Sequence, residues 1–225
     1  MAPVPWVEAG KHLGNTIENK IDGMQKDISI KRARYINRQN NLSQEFYFSH
    51  PVTKFTVNQI YNTDFTGSPL WDFNSDCFES LCKTWNISVR IMFDLPRTTH
   101  RYFIEPITEK SHIKFIIMKR FLKFCDQLRE SNKTLLKSMM KNCENNTTTR
   151  TGNNLRTIML LTNVNHISQI KQSDLTSQTY RDIPDGEEWR IPLVKELIEA
   201  RHDRNMLPEF THDEINHLIE MASTT

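Results

Sequence analysis

Apolar residues recur every three or four positions over most of this chain, a spacing that predicts α-helices. Over residues 24–46 they fall within roughly 40° of one another on a wheel of about 100° per residue. This first stripe consists of Met24, Ile28, Tyr35, Leu42 and Phe46. Residues 109–131 repeat the pattern with Ile113, Ile117, Phe121, Phe124 and Leu128. We therefore predict two long helices, each with one buried face.

Capping and breaking residues predict further helices between these two. Pro51 ends the first helix, and another is expected over about residues 52–64. The turn at Gly67 to Pro69 is expected to bring Leu70, Trp71 and Phe73 into the core. Ser75 is placed to cap a helix that runs up to Pro96.

The two ends of the chain differ in pattern. Residues 1–18 alternate apolar and polar positions around a turn-prone Ala9-Gly10-Lys11, which predicts a β-hairpin. At the other end, Pro192 can open a helix, and Thr211 with Glu214 forms a capping box ahead of the last one. The fold is predicted to be mainly α: a hairpin at 1–18, a helical domain at 19–143, an exposed loop at 144–153 and a helical extension at 154–225.

Charge is distributed unevenly, although the formal net charge of the 225 residues is only +2. Residues 83–141 contain thirteen Lys/Arg against five Asp/Glu, whereas residues 174–220 contain five against twelve. A basic middle and an acidic tail favour either a polyanionic partner or neutralisation within the molecule. Two solvated helix faces would have the same composition.

Few residues suggest catalysis or a metal site. The chain has no GxSxG, HExxH, GxxxxGK[ST] or GxGxxG motif, and such motifs are the usual sequence signs of hydrolytic or phosphate chemistry. Four cysteines without a CxxC pair indicate free thiols rather than disulfides or zinc ligands. With no apolar run of about 18 residues and no signal-peptide pattern, we expect an intracellular protein, nuclear or cytoplasmic, without a membrane partner.

Cations occur at spacings suited to a sugar–phosphate strand. Lys31, Arg34 and Arg38 recur every three or four residues beside the first apolar stripe, as a helix needs to contact successive phosphates. Asp27 lies one turn before Lys31, so local ion pairing is the alternative. Further candidates are Arg97, His100, Arg101, Lys119, Arg120 and Lys123. Their mixture with aromatic residues suits RNA or DNA, whereas helix capping and core packing are the plain alternatives.

The order of several short segments resembles the region that follows the catalytic palm in non-LTR (LINE-type) retrotransposon reverse transcriptases. These segments are "KHLGNTI", "KRARYI", "LSQEF", "IYNTDFTGSPLWDF", "TWNISVR", "LPRTTHRYFIEPI", "MKRFLKF" and "TRTGNNLRTI". The resemblance extends from about Trp6 to about Ile158. It implies a palm-closing primer-grip hairpin, a helical thumb-like bundle and a C-terminal extension.

The resemblance also implies roles for individual residues, all in binding a template–primer without sequence specificity. His12, Leu13 and Gly14 match the hairpin motif of the family. The basic helix with Lys31, Arg32, Arg34 and Arg38 matches the thumb side, and the segment "THRY" at residues 99–102 matches the helical region downstream.

The family's catalytic step uses palm aspartates that bind magnesium, and no such motif occurs in this chain. We therefore expect no cofactor in this chain, an upstream palm as partner, and a C-terminal fragment or truncated copy that is inactive alone as an RNA-directed DNA polymerase. The alternatives are a helical protein-interaction module, in which the basic middle docks on an acidic partner or on the chain's own tail, and a truncated retroelement product without function.

Overall fold

The computed structural model describes residues 9–12, 15–18, 23–63, 65–170, 175, 186–203 and 209–224. Within these residues the chain is mainly helical, which confirms the predicted class. The helices are α1 (Gly23–Glu45), α2 (Pro51–Asn62), α3 (Asp76–Met92), α4 (Ile104–Thr108), α5 (Ile113–Glu130), α6 (Thr134–Asn145), α7 (Arg150–Thr162), α8 (Arg190–His202) and α9 (His212–Ser223). Short 3-10 turns occur at Ser68–Leu70, Arg101–Phe103 and Ile167–Gln169. No described helix is long and apolar enough to span a membrane.

Two four-residue strands precede the helices, in the region of the predicted hairpin, but residues 9–11, predicted as its turn, lie within the first strand. Strand β1 (Ala9–His12) pairs antiparallel with β2 (Asn15–Glu18), and His12 lies opposite Asn15 in the register. Leu13 and Gly14, which carry the family-like motif together with His12, lie outside the described residues.

Helix starts follow the capping residues that the sequence indicates. Ser75 Oγ accepts a hydrogen bond from the Phe78 amide at 3.3 Å, at the start of α3. At α9, Thr211 Oγ1 accepts from the Glu214 amide at 3.3 Å, and Glu214 Oε2 accepts from the Thr211 amide at 2.7 Å. Both predicted caps are therefore confirmed, because each depends only on residues within one helical turn.

The chain divides into two compact units, each built from three separate segments. The first unit comprises Met1–Tyr35, Asp64–Cys82 and Lys114–Leu175, and the second comprises Ile36–Thr63, Lys83–Ile113 and Thr176–Thr225. Each unit thus combines parts of the predicted 19–143 domain and of the 154–225 extension. The division follows three-dimensional contacts rather than chain order, and three of the boundaries fall within α1, α3 and α5.

Trp71 lies at the centre of the first unit and is fully buried. Its ring centroid is 5.7 Å from that of Phe65 and 6.5 Å from that of Phe78. Its indole nitrogen donates a hydrogen bond to Asp27 Oδ2 at 2.9 Å. A tryptophan is stably buried when its N–H group finds an acceptor, and Asp27 is that acceptor.

The predicted core is wrong at Leu70, because its side chain is 45% exposed. Residues Ser68–Leu70 form a 3-10 turn, in which positions three apart share one face. Ser68 and Trp71, three apart, are both fully buried. Leu70 lies on another side of the turn and therefore points away from the core.

The predicted exposed loop at 144–153 is also corrected, because α6 continues to Asn145 and α7 begins at Arg150. Thr149 starts α7 by accepting a hydrogen bond from the Gly152 amide at 3.1 Å. Gly152 is buried, and a Cβ atom there would lie 2.5 Å from the Cys143 carbonyl oxygen and closer still to that of Asn146. Only a glycine lets α7 approach the end of α6 this closely.

Replacing Gly152 with alanine is therefore expected to lower the free energy of unfolding by about 1–3 kcal/mol, because the new methyl group meets backbone oxygens that cannot move independently. Urea titration followed by circular dichroism measures this change. The control is Ser138→Ala, an exposed position on α6. A Gly152→Ala protein as stable as the wild type would contradict the close approach of α7 to α6.

The second unit has its own aromatic core around Trp85. The Trp85 ring contacts Phe55 at 6.0 Å and His112 at 4.7 Å between centroids, and Phe55 also contacts Phe93 at 5.8 Å. Helices α8 and α9 add buried aliphatic residues to this unit: Val194, Leu197, Ile198, Ile215 and Ile219. The acidic tail is consequently part of a core and not a detachable extension.

Candidate nucleic-acid interface

The turn between α3 and the Arg101–Phe103 3-10 helix presents three of the predicted cations on the second unit. Arg97, His100 and Arg101 are all exposed within five residues of one another. The His100 ring stacks on the Tyr102 ring, with centroids 5.1 Å apart and planes 18° from parallel. The phenol of Tyr102 donates a hydrogen bond to Glu187 Oε2 at 3.1 Å.

This turn is held in place by groups from both α3 and α9. Arg90 donates two hydrogen bonds to the Thr99 carbonyl oxygen, from Nε at 2.9 Å and from Nη2 at 2.5 Å. Thr99 Oγ1 donates to Ser223 Oγ at 3.2 Å, and the His100 amide donates to the Ser223 carbonyl at 3.3 Å. Desolvation by burial lowers the pKa of Arg90 from its ordinary value. The sequence pattern did not reveal that Arg90 and Ser223 position this turn, and Ser223 comes from a distant part of the chain, 124 residues after Thr99.

The cations of α1 divide between the interior and the surface. Arg34 and Arg38 are exposed, and Arg32 is half-buried. Lys31 is only 7% exposed and forms an ion pair with Asp27 at 3.1 Å. Lys31 Nζ also donates to the Thr66 carbonyl and lies 5.6 Å from the Trp71 ring centroid.

Lys31 is thus paired with Asp27, as the alternative interpretation of its spacing predicts. We therefore remove Lys31 from the candidate surface. The sequence contains a signal for this placement, because Ile28, Lys31 and Tyr35 follow one another at spacings of three and four. These spacings put Lys31 on the buried stripe rather than beside it. An ammonium placed there requires a carboxylate partner, and Asp27 provides it.

Helix α5 carries the third group of predicted cations, on the first unit. Lys123 is exposed, whereas Lys119 and Arg120 are half-buried. Ile117 and Phe121 on the same helix are fully buried. Lys123 therefore lies outside the apolar face, and Lys119 and Arg120 lie at its edge.

The cysteine thiols and the potential metal ligands are the remaining reactive groups of the described residues. All four cysteines are free thiols, and burial raises the pKa of Cys82 and of Cys125 to about 12. These two groups stay protonated at neutral pH and are poor nucleophiles and metal ligands. Among the described residues no group of three or more His, Cys, Asp or Glu could hold a metal ion.

The candidate interface therefore consists of basic side chains at several positions of the chain. In the second unit the structure brings Arg97, His100 and Arg101 together on one anchored turn. Arg34 on α1 and Lys123 on α5 are exposed elsewhere. Comparison with known proteins finds no matching family model, no matching curated protein and no matching solved structure.

Proposed function

We propose that this chain is a non-catalytic part of a non-LTR retrotransposon reverse transcriptase that holds a template–primer by its sugar–phosphate backbone. The observation that carries the proposal is the anchored turn with Arg97, His100 and Arg101. Its backbone is held before any ligand arrives, because Arg90 donates to the Thr99 carbonyl oxygen and the Ser223 carbonyl oxygen accepts from the His100 amide. A site organised in advance loses less conformational entropy on binding than three cations on a free loop.

The family-like order of short segments from Trp6 to Ile158 supports the same proposal. In that family the magnesium-binding aspartates belong to the palm, which would be a separate partner of this chain. Contacts to phosphates alone predict binding without sequence preference, because base identity is read from base edges.

Binding to a labelled strand is expected to weaken steeply with salt. Each neutralised phosphate contributes about −0.7 to the slope of log K against log salt on single strands and about −0.9 on duplex DNA. The double variant Arg97→Gln/Arg101→Gln is expected to reduce the size of the single-strand slope by about 1.4. Fluorescence anisotropy between about 50 and 200 mM salt measures both quantities.

The matched control is Lys137→Gln/Arg156→Gln, which removes the same charge from exposed positions of α6 and α7. If the control lowers the slope as much as the turn variant does, binding depends on overall charge and not on the turn. A wild-type affinity that does not change with salt would contradict the proposal altogether.

A protein-interaction module is the second candidate, and exposed apolar pairs one helical turn apart favour it. Ile87 and Ile91 on α3 are each 55% exposed, and Leu135 and Met139 on α6 are 71% and 55% exposed. The acidic tail contacts the middle of the chain through Glu187 and Tyr102, as docking within the molecule requires.

Deleting the tail cannot separate the two candidates, because α8 and α9 belong to the core. Glu187→Gln removes the charge alone: an increase in nucleic-acid affinity would identify Glu187 as a competitor of phosphate.

A further inference from the structure

Tyr61 and Arg38 form an exposed pair on the second unit that phosphate binding alone does not require. Tyr61 is the next-to-last residue of α2, and its side chain is 67% exposed. Arg38, exposed on α1, donates a hydrogen bond from Nη1 to the Tyr61 carbonyl oxygen at 3.3 Å. Carbonyl groups at a helix C-terminus lack partners within the helix, so a cation bound there is favourable. The guanidinium is therefore fixed beside the residue that carries the exposed ring.

A second exposed aromatic residue shows a different arrangement. Trp189 is 60% exposed, but the guanidinium carbon of Arg190 lies 5.7 Å from its ring centroid. Arg190 in turn pairs with Glu187 at 3.5 Å. At Trp189 the ring contacts the Arg190 guanidinium, which is already paired with a carboxylate. At Tyr61 the Arg38 guanidinium bonds the backbone carbonyl instead.

The charge around Tyr61 favours an anionic partner. Residues 36–63, the part of the same unit that carries both side chains, contain two Lys/Arg against one Asp/Glu. The two bases are Arg38 on α1 and Lys54 on α2, and the acid is Glu45. The guanidinium that bonds the Tyr61 carbonyl thus brings a positive charge beside the ring-bearing residue.

We propose that Tyr61 and Arg38 form a stacking site for one unpaired nucleobase, with the ring contacting the base and the guanidinium contacting an adjacent phosphate. This inference rests on the proposed function and specifies its ligand as a single strand or an unpaired end. Aromatic rings stack on any base, so the site needs no sequence preference. In a duplex the base faces are occupied by neighbouring bases, and an exposed ring has no comparable partner.

The decisive variant is Tyr61→Leu, which keeps an apolar side chain and the backbone carbonyl that binds Arg38. Its affinity for a labelled twelve-nucleotide oligo-dT strand is expected to fall about 5- to 100-fold, the effect of losing one stacked base. The salt slope is expected to stay the same, because no phosphate contact is removed. Affinity for a twelve-base-pair duplex is also expected to stay the same. Tyr61→Phe keeps the ring and should bind the strand as the wild type does.

Two further variants separate the effect of the Tyr61 ring on binding from the effect of the Arg38 charge and from that of any exposed aromatic ring. Arg38→Gln is expected to reduce the size of the single-strand salt slope by about 0.7, the contribution of one phosphate. Trp189→Leu, the matched control, removes another exposed aromatic ring and should leave strand affinity unchanged. Unchanged thermal melting of all variants shows that each one folds.

The outcomes distinguish this inference from the function on which it rests. If the wild type binds the strand with a steep salt dependence and Tyr61→Leu binds equally well, the stacking site is wrong and the proposed function stands. If the wild type binds neither strand nor duplex at about 50 mM salt, both proposals fail. If Tyr61→Leu keeps its strand affinity but loses self-association in sedimentation, the ring belongs to a protein contact, which also overturns the stacking site.

Discussion

Replacing Asp27 with alanine lowers the free energy of unfolding by about 3–5 kcal/mol, the largest expected effect of a single substitution proposed for this protein. Asp27 is buried, pairs with the Lys31 ammonium at 3.1 Å and accepts the Trp71 indole hydrogen bond at 2.9 Å. Its removal leaves Lys31 without that carboxylate in a buried position. Chemical denaturation monitored by the fluorescence of the tryptophans measures the loss.

Two comparisons show whether burial causes this effect. Asp126→Ala removes a similar pair, Asp126 with Arg129 at 2.6 Å, in which the side chains are 49% and 32% exposed. Solvent-exposed pairs contribute about 0–1 kcal/mol, so this control should change little. Asp27→Leu/Lys31→Met should recover part of the lost stability, because both charges leave the interior together. Equal losses of unfolding free energy in Asp27→Ala and Asp126→Ala would show that Lys31 is solvated.

Asn154→Ala is expected to lower the free energy of unfolding by about 2–4 kcal/mol, because two buried backbone groups lose their partners. Asn154 Nδ2 donates to the Trp71 carbonyl oxygen at 2.7 Å, and Asn154 Oδ1 accepts from the Phe73 amide at 3.0 Å. The side chain of Asn154 on α7 thus provides partners for two backbone groups of the turn that brings Trp71 and Phe73 into the core. Each backbone group left unsatisfied in the interior destabilises by about 1–3 kcal/mol.

Asn153→Ala, one residue earlier on α7, is the control for helix propensity and for the loss of an amide group. Its side chain is half-buried, and its replacement should change stability by less than about 1 kcal/mol. Hydrogen exchange at the Phe73 amide gives a second measurement. Exchange at Phe73 as slow in Asn154→Ala as in the wild type would contradict the role of this side chain.

The helices could be predicted well because their signals are local. The capping box of Thr211 and Glu214 lies within four residues, and the stripe of Ile28, Tyr35 and Leu42 depends only on helical spacing. Residues 150–153 could not be recognised as helical, since "TRTGNN" has the composition of a loop. The contact of Gly152 with the end of α6 is a packing contact that local composition does not encode.

The candidate interface was predictable in its residue types but not in its arrangement. Arg97, His100 and Arg101 could be identified as cations near Pro96. Their fixed placement depends on Ser223, which lies more than a hundred positions away in the chain. The sequence does not distinguish the ring of Tyr61, because an aromatic residue at helical spacing is usually part of the core, and only its exposure in the structure marks it as a contact residue.

Periodicity and capping residues were enough to establish a mainly helical protein, because these signals arise from neighbours within one or two turns. The basic middle and the acidic tail follow from counting charged residues along the sequence. Folding decided which cations remain on the surface and which, like Lys31, are neutralised inside. It also decided that residues distant in the chain share two cores. The reason is physical: a charge is stable in the interior only beside a partner, and which partners meet depends on the packing of the whole chain.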